Sequence, residues 1–164
     1  MKNTFIRWSV QLVLHCLAFL ACRPRLLFLS NAVTRWLARA TVRAKAIGEA
    51  NSVAELGALW QRSFPSRKQV PIESVSTNTV IAQIHTLCPL KGTGDLHACH
   101  RMMEFDREVL RHAGGQFVVL QSQATPGVDY CTVAMRRRGQ SIADLVPAHE
   151  KAASTVACEP SATS

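Results

Sequence analysis

Four side chains in the second half of this 164-residue chain have types and spacings that could do chemistry together: Cys88, Cys99, Asp106 and Cys131. On a helix of about 100° per residue starting at Leu96, Cys99 falls at about 300° and Asp106 at about 280°. Met102, Met103, Val109 and Leu110 share that apolar stripe. An ionised carboxylate buried there alone costs several kcal/mol, so Asp106 is either an anchor bonded to backbone N–H groups or a functional group. Cys131 alternates with Val133 and Met135 and so faces the apolar side of its strand. Cys88 lies just past a strand end, in the loop leading to the helix. Packed on one sheet, a strand-loop-helix unit brings all four into one pocket; the plainer reading is three small core cysteines. His85 shares the more polar side of its strand with Gln83. If its ring reaches Cys88 it lowers that thiol's pKa and makes it a nucleophile; otherwise it is a structural histidine.

Other constellations are weaker. His97, Cys99 and His100 look like a metal cluster in the sequence, but Cys99 and His100 point about 100° apart on a helix, so the two histidines read as surface residues. The separations between Cys88, Cys99 and Cys131 match no zinc ribbon or finger, and neither a metal nor a cofactor is expected. Gly92 to Gly94 lacks the spacing of a phosphate-binding loop, and no Ser-centred nucleophile elbow is present. With one Tyr and six Phe there is no interleaved aromatic and basic surface for single strands. A helix-turn-helix forced onto residues 30–62 has no recognisable recognition helix, so nucleic acid is not an expected partner.

The elements that must position these residues follow from periodicity. Thr79 to Thr86 alternates as a strand, and Lys91 to Asp95 is a turn with Thr93 or Asp95 as N-cap. A helix from Leu96 to His112 stops at Gly114 and Gly115, and a strand follows from Gln116 to Gln123. A turn at residues 125–128 leads to a third strand, Asp129 to Arg137, antiparallel to the second. Upstream, residues 30–50 read as an amphipathic helix capped by Ser30 or Asn31 and ended by Gly48. Arg35, Arg39 and Arg43 mark one side of it, and Val33, Trp36, Leu37 and Ala40 mostly another. A shorter helix, Val53 to Arg62, is capped by Asn51 and Ser52 and carries Leu56, Leu59 and Trp60 on its apolar side. The fold class is α+β: N-terminal helices, then a β-α-β-β unit with a small, largely antiparallel sheet. Residues 1–25 form an apolar basic segment, 26–68 a helical region ending in a linker from Phe64 to Pro71, and 69–139 the core. Residues 140–164 are an Ala/Ser/Thr/Pro-rich tail, expected to be disordered after a short helix near Ile142 to Val146.

Hydrophobic residues make up 48% and charged residues 18% of the chain, which excludes wholesale disorder. No apolar run reaches the roughly 18 to 20 residues of a spanning helix. The net charge of +8 is uneven: residues 1–68 hold eleven Lys and Arg against two Glu, whereas residues 69–164 hold eight against nine acidic groups. Residues 1–25 have the charged start and apolar middle of a secretory signal, and Phe19 to Cys22 hints at a lipoprotein cleavage box. Phe19 stands where such a box has Leu, and Arg23 and Arg25 follow directly, so a monotopic or core-packed helix is the better reading. The basic, apolar residues 1–47 suit an anionic membrane surface, which gives a cytoplasmic protein peripheral on the inner face of the membrane.

The order of residues in the second half is distinctive. Cys88-Pro89-Leu90, a helix with Cys99 and Asp106, a strand ending at Gln121 to Ala124, and then Pro126 to Cys131 before an apolar strand resemble the L-2-amino-thiazoline-4-carboxylic acid hydrolase-like family. The resemblance covers Ile84 to Arg137, a third of the chain. It implies an α+β fold with Cys88, Cys99, Asp106 and Cys131 around the site, and hydrolytic opening of a small sulfur–nitrogen ring. On that basis Cys88 would be the nucleophile or a water-positioning thiol, and Asp106 the acid/base or a substrate-ammonium anchor with a raised pKa. Cys99 and Cys131 would line the small-molecule substrate, and His85 would assist. The alternative is a non-catalytic small-molecule- or metal-binding module held peripherally at a membrane, an architecture shared by 4-vinyl reductase-type binding domains.

Overall fold

The computed structural model describes residues 2–23 and 27–151. In chain order the elements are α1 (Lys2–Ala21), α2 (Leu27–Ala44), α3 (Val53–Ser63), β1 (Ile72–Val75), β2 (Val80–Ile84), α4 (Leu96–Met102), α5 (Glu104–His112), β3 (Gly115–Gln121) and β4 (Cys131–Arg137). The four strands form one antiparallel sheet in the order β1-β2-β4-β3. Alternation sets its faces: Val80, Ala82 and Ile84 of β2, Phe117 and Val119 of β3, and Cys131, Val133 and Met135 of β4 all turn into the core. Leu56, Leu59 and Trp60 of α3 and Val109 and Leu110 of α5 fill the same core, so this face of the sheet carries the helices. The architecture is α+β with N-terminal helices.

Local signals explain most boundaries. Ser52 Oγ accepts the Glu55 N–H while the Glu55 carboxylate accepts the Asn51 N–H, a reciprocal capping arrangement at the start of α3. Asp95 Oδ1 accepts the Ala98 N–H and caps α4; Thr93 instead donates its hydroxyl to the Leu90 carbonyl. Gly114 ends α5 at φ 79°, where a side chain is strained. Gly115 is required for a different reason: a Cβ there would lie 2.6 Å from Leu56 Cδ1, so its absence lets α3 press onto the first residue of β3.

Several expectations need correction. α2 begins at Leu27, which places Ser30 and Asn31 inside the helix rather than at its cap. It ends at Ala44, and the chain turns through Ala46 at φ 48° before Gly48 is reached. Residues 96–112 form two helices, because Met103, with ψ 6°, breaks the backbone between α4 and α5. β1 has no clean alternation; it is a short, mostly exposed edge strand with an irregular register between Ile72 and Ser74. A bulge between Val119 and Gln121 interrupts the β3–β4 ladder. The segment from Phe64 to Pro71 is packed, with Val70 fully buried and a 3₁₀ turn at Arg67–Gln69, and one core spans it.

The tail is ordered further than expected. Arg136, on the face of β4 opposite Met135, binds both carboxylate oxygens of Asp144 and the Ser141 carbonyl. Residues 142–146 turn without forming a helix, whereas residues 148–151 are helical and bury Ala148. Residues 152–164 lie outside the described residues. In α1, Leu17, Ala18 and Ala21 join the core, in keeping with a core-packed helix. Among the described residues no helix is long and apolar enough to cross a membrane.

Candidate functional site

Asp106 occupies the first turn of α5, a position created by the break at Met103. The free N–H groups of a helix start favour an anion there, and the carboxylate accepts its own backbone N–H. Its other partner is the Trp60 indole, whose Nε1 donates to Oδ1 at 2.8 Å from within the core. These two donors and nearby Arg107 do not offset enclosure: the side chain is almost wholly buried, and desolvation pushes the pKa up to about 6.

Two of the three thiols, those of Cys99 and Cys131, feel its charge. Cys99 on α4 is 2% exposed and receives the Ser122 hydroxyl at 3.0 Å. Cys131, opening β4, is 1% exposed and receives the Gln123 N–H at 3.3 Å. Cys88 is half-buried, the least enclosed of the four, and receives the Leu90 N–H at 3.4 Å. Burial raises all three thiols, Cys99 to about 11 and Cys131 to about 12. Cys88 and Asp106 each add to the rise at both buried sulfurs, so each lies within electrostatic reach of Cys99 and Cys131. Cys99 and Cys131 are thus the shared neighbours of Cys88 and of Asp106. At neutral pH all three sulfurs are thiols, an arrangement better suited to positioning and polarising a substrate than to thiolate attack.

His85 is placed otherwise. Its exposed ring bonds Gln83 Oε1 through Nε2 at 2.8 Å and stacks on Tyr130 with centroids 4.9 Å apart. These partners, not the Cys88 thiol, fix its orientation.

Two sets of residues escaped the sequence reading. Trp60 was legible only as an apolar position of α3, since its indole meets Asp106 across 46 residues of chain. The stretch from Ser122 to Ala124 is the second. Ser122 holds Cys99, and the Gln123 backbone holds Cys131. The buried Gln123 side chain donates to the carbonyls of Ile84 and Thr86, and the Gln123 backbone carbonyl accepts the Gly92 N–H. The only available signal was two polar residues, Ser122 and Gln123, closing an apolar strand. Beside this stretch, the Thr86 hydroxyl is buried without a hydrogen-bond partner among the described residues. Gln123 bridges the Thr86 carbonyl and the Cys131 thiol, and an unpaired polar atom at that point suits a small polar ligand.

His97 and His100 are joined by a third histidine. The His149 ring packs 4.0 Å from that of His100 and 6.0 Å from that of His97. Desolvation and the nearby cationic side chain of Arg107 lower His100 to about 4, and His149 is lowered as well. Among the described residues no group of three His, Cys, Asp or Glu is arranged to hold a metal ion.

Compared with protein-family models, curated proteins and solved structures, the chain finds no match.

Proposed function

We propose that this chain is a small cytoplasmic hydrolase acting on a carbon–nitrogen bond of a small sulfur–nitrogen heterocycle or amide, the activity implied by the resemblance of Ile84 to Arg137 to L-2-amino-thiazoline-4-carboxylic acid hydrolase-like proteins. The observation that carries the reading is the Asp106 carboxyl, enclosed within electrostatic reach of Cys99 and Cys131 with a pKa of about 6. A group titrating there is present in both protonation states near neutral pH, as a general acid/base must be. In the proposed reaction, water adds to the amidine or amide carbon and gives a proton to Asp106. Asp106 then returns it to the departing nitrogen as the carbon–nitrogen bond breaks. Cys88, the most accessible thiol, positions the water or the ring, and Cys99 and Cys131 contact the substrate's sulfur-bearing side. The five described cysteines are all free, which suits a reducing compartment.

The raised thiol pKa values and the enclosure of the cluster favour a second reading, a small-molecule-binding module without turnover. The two are separated with purified chain, thiazoline and amide substrates, and detection of liberated thiol or amine. An enzyme shows turnover that Asp106→Asn abolishes and Cys88→Ser reduces while both variants stay folded. Saturable binding with no turnover in the parent chain would refute the hydrolase.

A further inference from the structure

The arginines of α2 do not all face solvent as a bare basic stripe. Arg35 pairs with Glu104 and Arg39 with Glu108, both on α5. Glu108 is 1% exposed and is shared: Arg111 grips its second oxygen, and His112 lies 3.5 Å from the first. Arg138, just past β4, donates to the Arg111 carbonyl. Arg39, Arg111, His112 and Arg138 therefore line one shallow, open hollow of about 460 Å³, built from three segments, with two guanidinium groups on one buried carboxylate and a third beside them. A second hollow of about 640 Å³ shares Arg39 and adds Trp36 and Arg43. Among the described residues Arg43 has no ion-pair partner, so this face carries more positive charge than its paired carboxylates offset there.

Trp36 lines this second hollow and Phe28 lies about two turns before it on α2; the core uses neither side chain. Phe28 is 88% and Trp36 69% exposed. At about 100° per residue, Phe28, Trp36, Arg39 and Arg43 fall within one arc of about 80° on α2. A basic trough beside exposed aromatic residues is the pattern of a helix that rests in the headgroup layer of an anionic membrane.

We propose that the face formed by α2, the end of α5 and Arg138 binds the phosphate groups of an anionic phospholipid surface, with Phe28 and Trp36 entering the headgroup layer. The guanidinium forks match phosphate oxygens in geometry. A free phosphate ester would use the arginines alone, and the two exposed aromatic rings on the same stripe favour the bilayer. The surface differs from the one expected for residues 1–47, because Arg35 turns to Glu104 and half of the trough comes from Arg111 and Arg138.

The test is co-sedimentation of the full chain with phosphatidylcholine vesicles, with and without phosphatidylserine, over a salt series. Binding is expected only to the anionic vesicles and is expected to weaken steeply with salt. Arg43→Gln with Arg138→Gln should lower affinity about 25-fold, about fivefold for each basic residue lost. Trp36→Ala should weaken binding without changing its salt dependence. Circular dichroism on each variant confirms folding. Equal binding to neutral vesicles, no binding at all, or full binding by the double arginine variant would overturn the proposal. Saturable binding of inorganic phosphate that Arg43→Gln with Arg138→Gln removes, with no vesicle binding, would reassign the trough to a soluble ligand.

Discussion

Replacing Asp106 with Asn tests the site where function and stability pull in opposite directions. Enclosure raises the carboxyl from an ordinary 3.8 to about 6, so the folded state binds its proton more tightly than the unfolded chain does. Protonated Asp106 therefore supports the fold fully below pH 3.8, and that support is lost as pH rises through about 6. A shift of about 2 units corresponds to about 3 kcal/mol at pH 8, at 1.36 kcal/mol per unit. Asn keeps an acceptor for the Trp60 indole and carries no charge at any pH. Its extra N–H costs about 1 kcal/mol if unpaired, which leaves a net gain of about 2 kcal/mol at pH 8. Urea unfolding of the two proteins at several pH values between 4 and 8 gives the difference directly. That difference should grow in favour of Asn with rising pH, whatever constant cost the amide brings. A flat difference would mean that the carboxyl is solvated and ordinary, and the argument for a poised acid/base would fail. A variant that is stabilised yet inactive would mark a residue kept for chemistry at the expense of the fold.

Three further outcomes follow from the packing. Trp60→Phe removes the indole donor and should destabilise by about 1–3 kcal/mol at pH 8, with a smaller loss at pH 5, where Asp106 is largely protonated; equal losses in urea titrations at both values would separate Trp60 from the carboxyl. Gly115→Ala places a methyl group against Leu56 and should cost about 1–3 kcal/mol, read as a lowered Tm; an unchanged Tm would show that α3 has room to retreat. His100 is depressed to about 4 and His149 in the same direction, so their contribution is present above pH 6.5 and lost as pH falls towards 4. His149→Phe keeps a ring on His100 without a titrating group and should flatten that acid loss of Tm, and an unchanged slope would remove the histidine stack from the account.

What the sequence made legible was local or periodic. Cys99 and Asp106 share a stripe because two turns of helix superpose them, and the break at Met103 does not undo this. Cys131 faces inward because strand alternation leaves no other side for it. Capping at Ser52 and Asp95 follows from short-range hydrogen bonds. The misses were tertiary. Nothing near Met103 breaks a helix by propensity, so that break reflects packing. Arg35 and Arg39 looked like a solvated or lipid-facing row because their carboxylate partners lie 69 residues away. Trp60 and His149 gain their roles only when distant elements meet. β1 was invisible because an exposed edge strand has no apolar alternation to display.

Ser122 and Gln123 hold two of the sulfurs from a position just beyond the bulge in the hairpin. Sliding β3 by one residue against β4 would turn Ser122 and Gln123 to the wrong sides and release Cys99 and Cys131 in one stroke. The bulge between Val119 and Gln121 is thus a setting screw for the thiol spacing. Descendants of this chain are free to lengthen or rewrite residues 126–128 at the hairpin tip, but insertions into the paired strands would be purged.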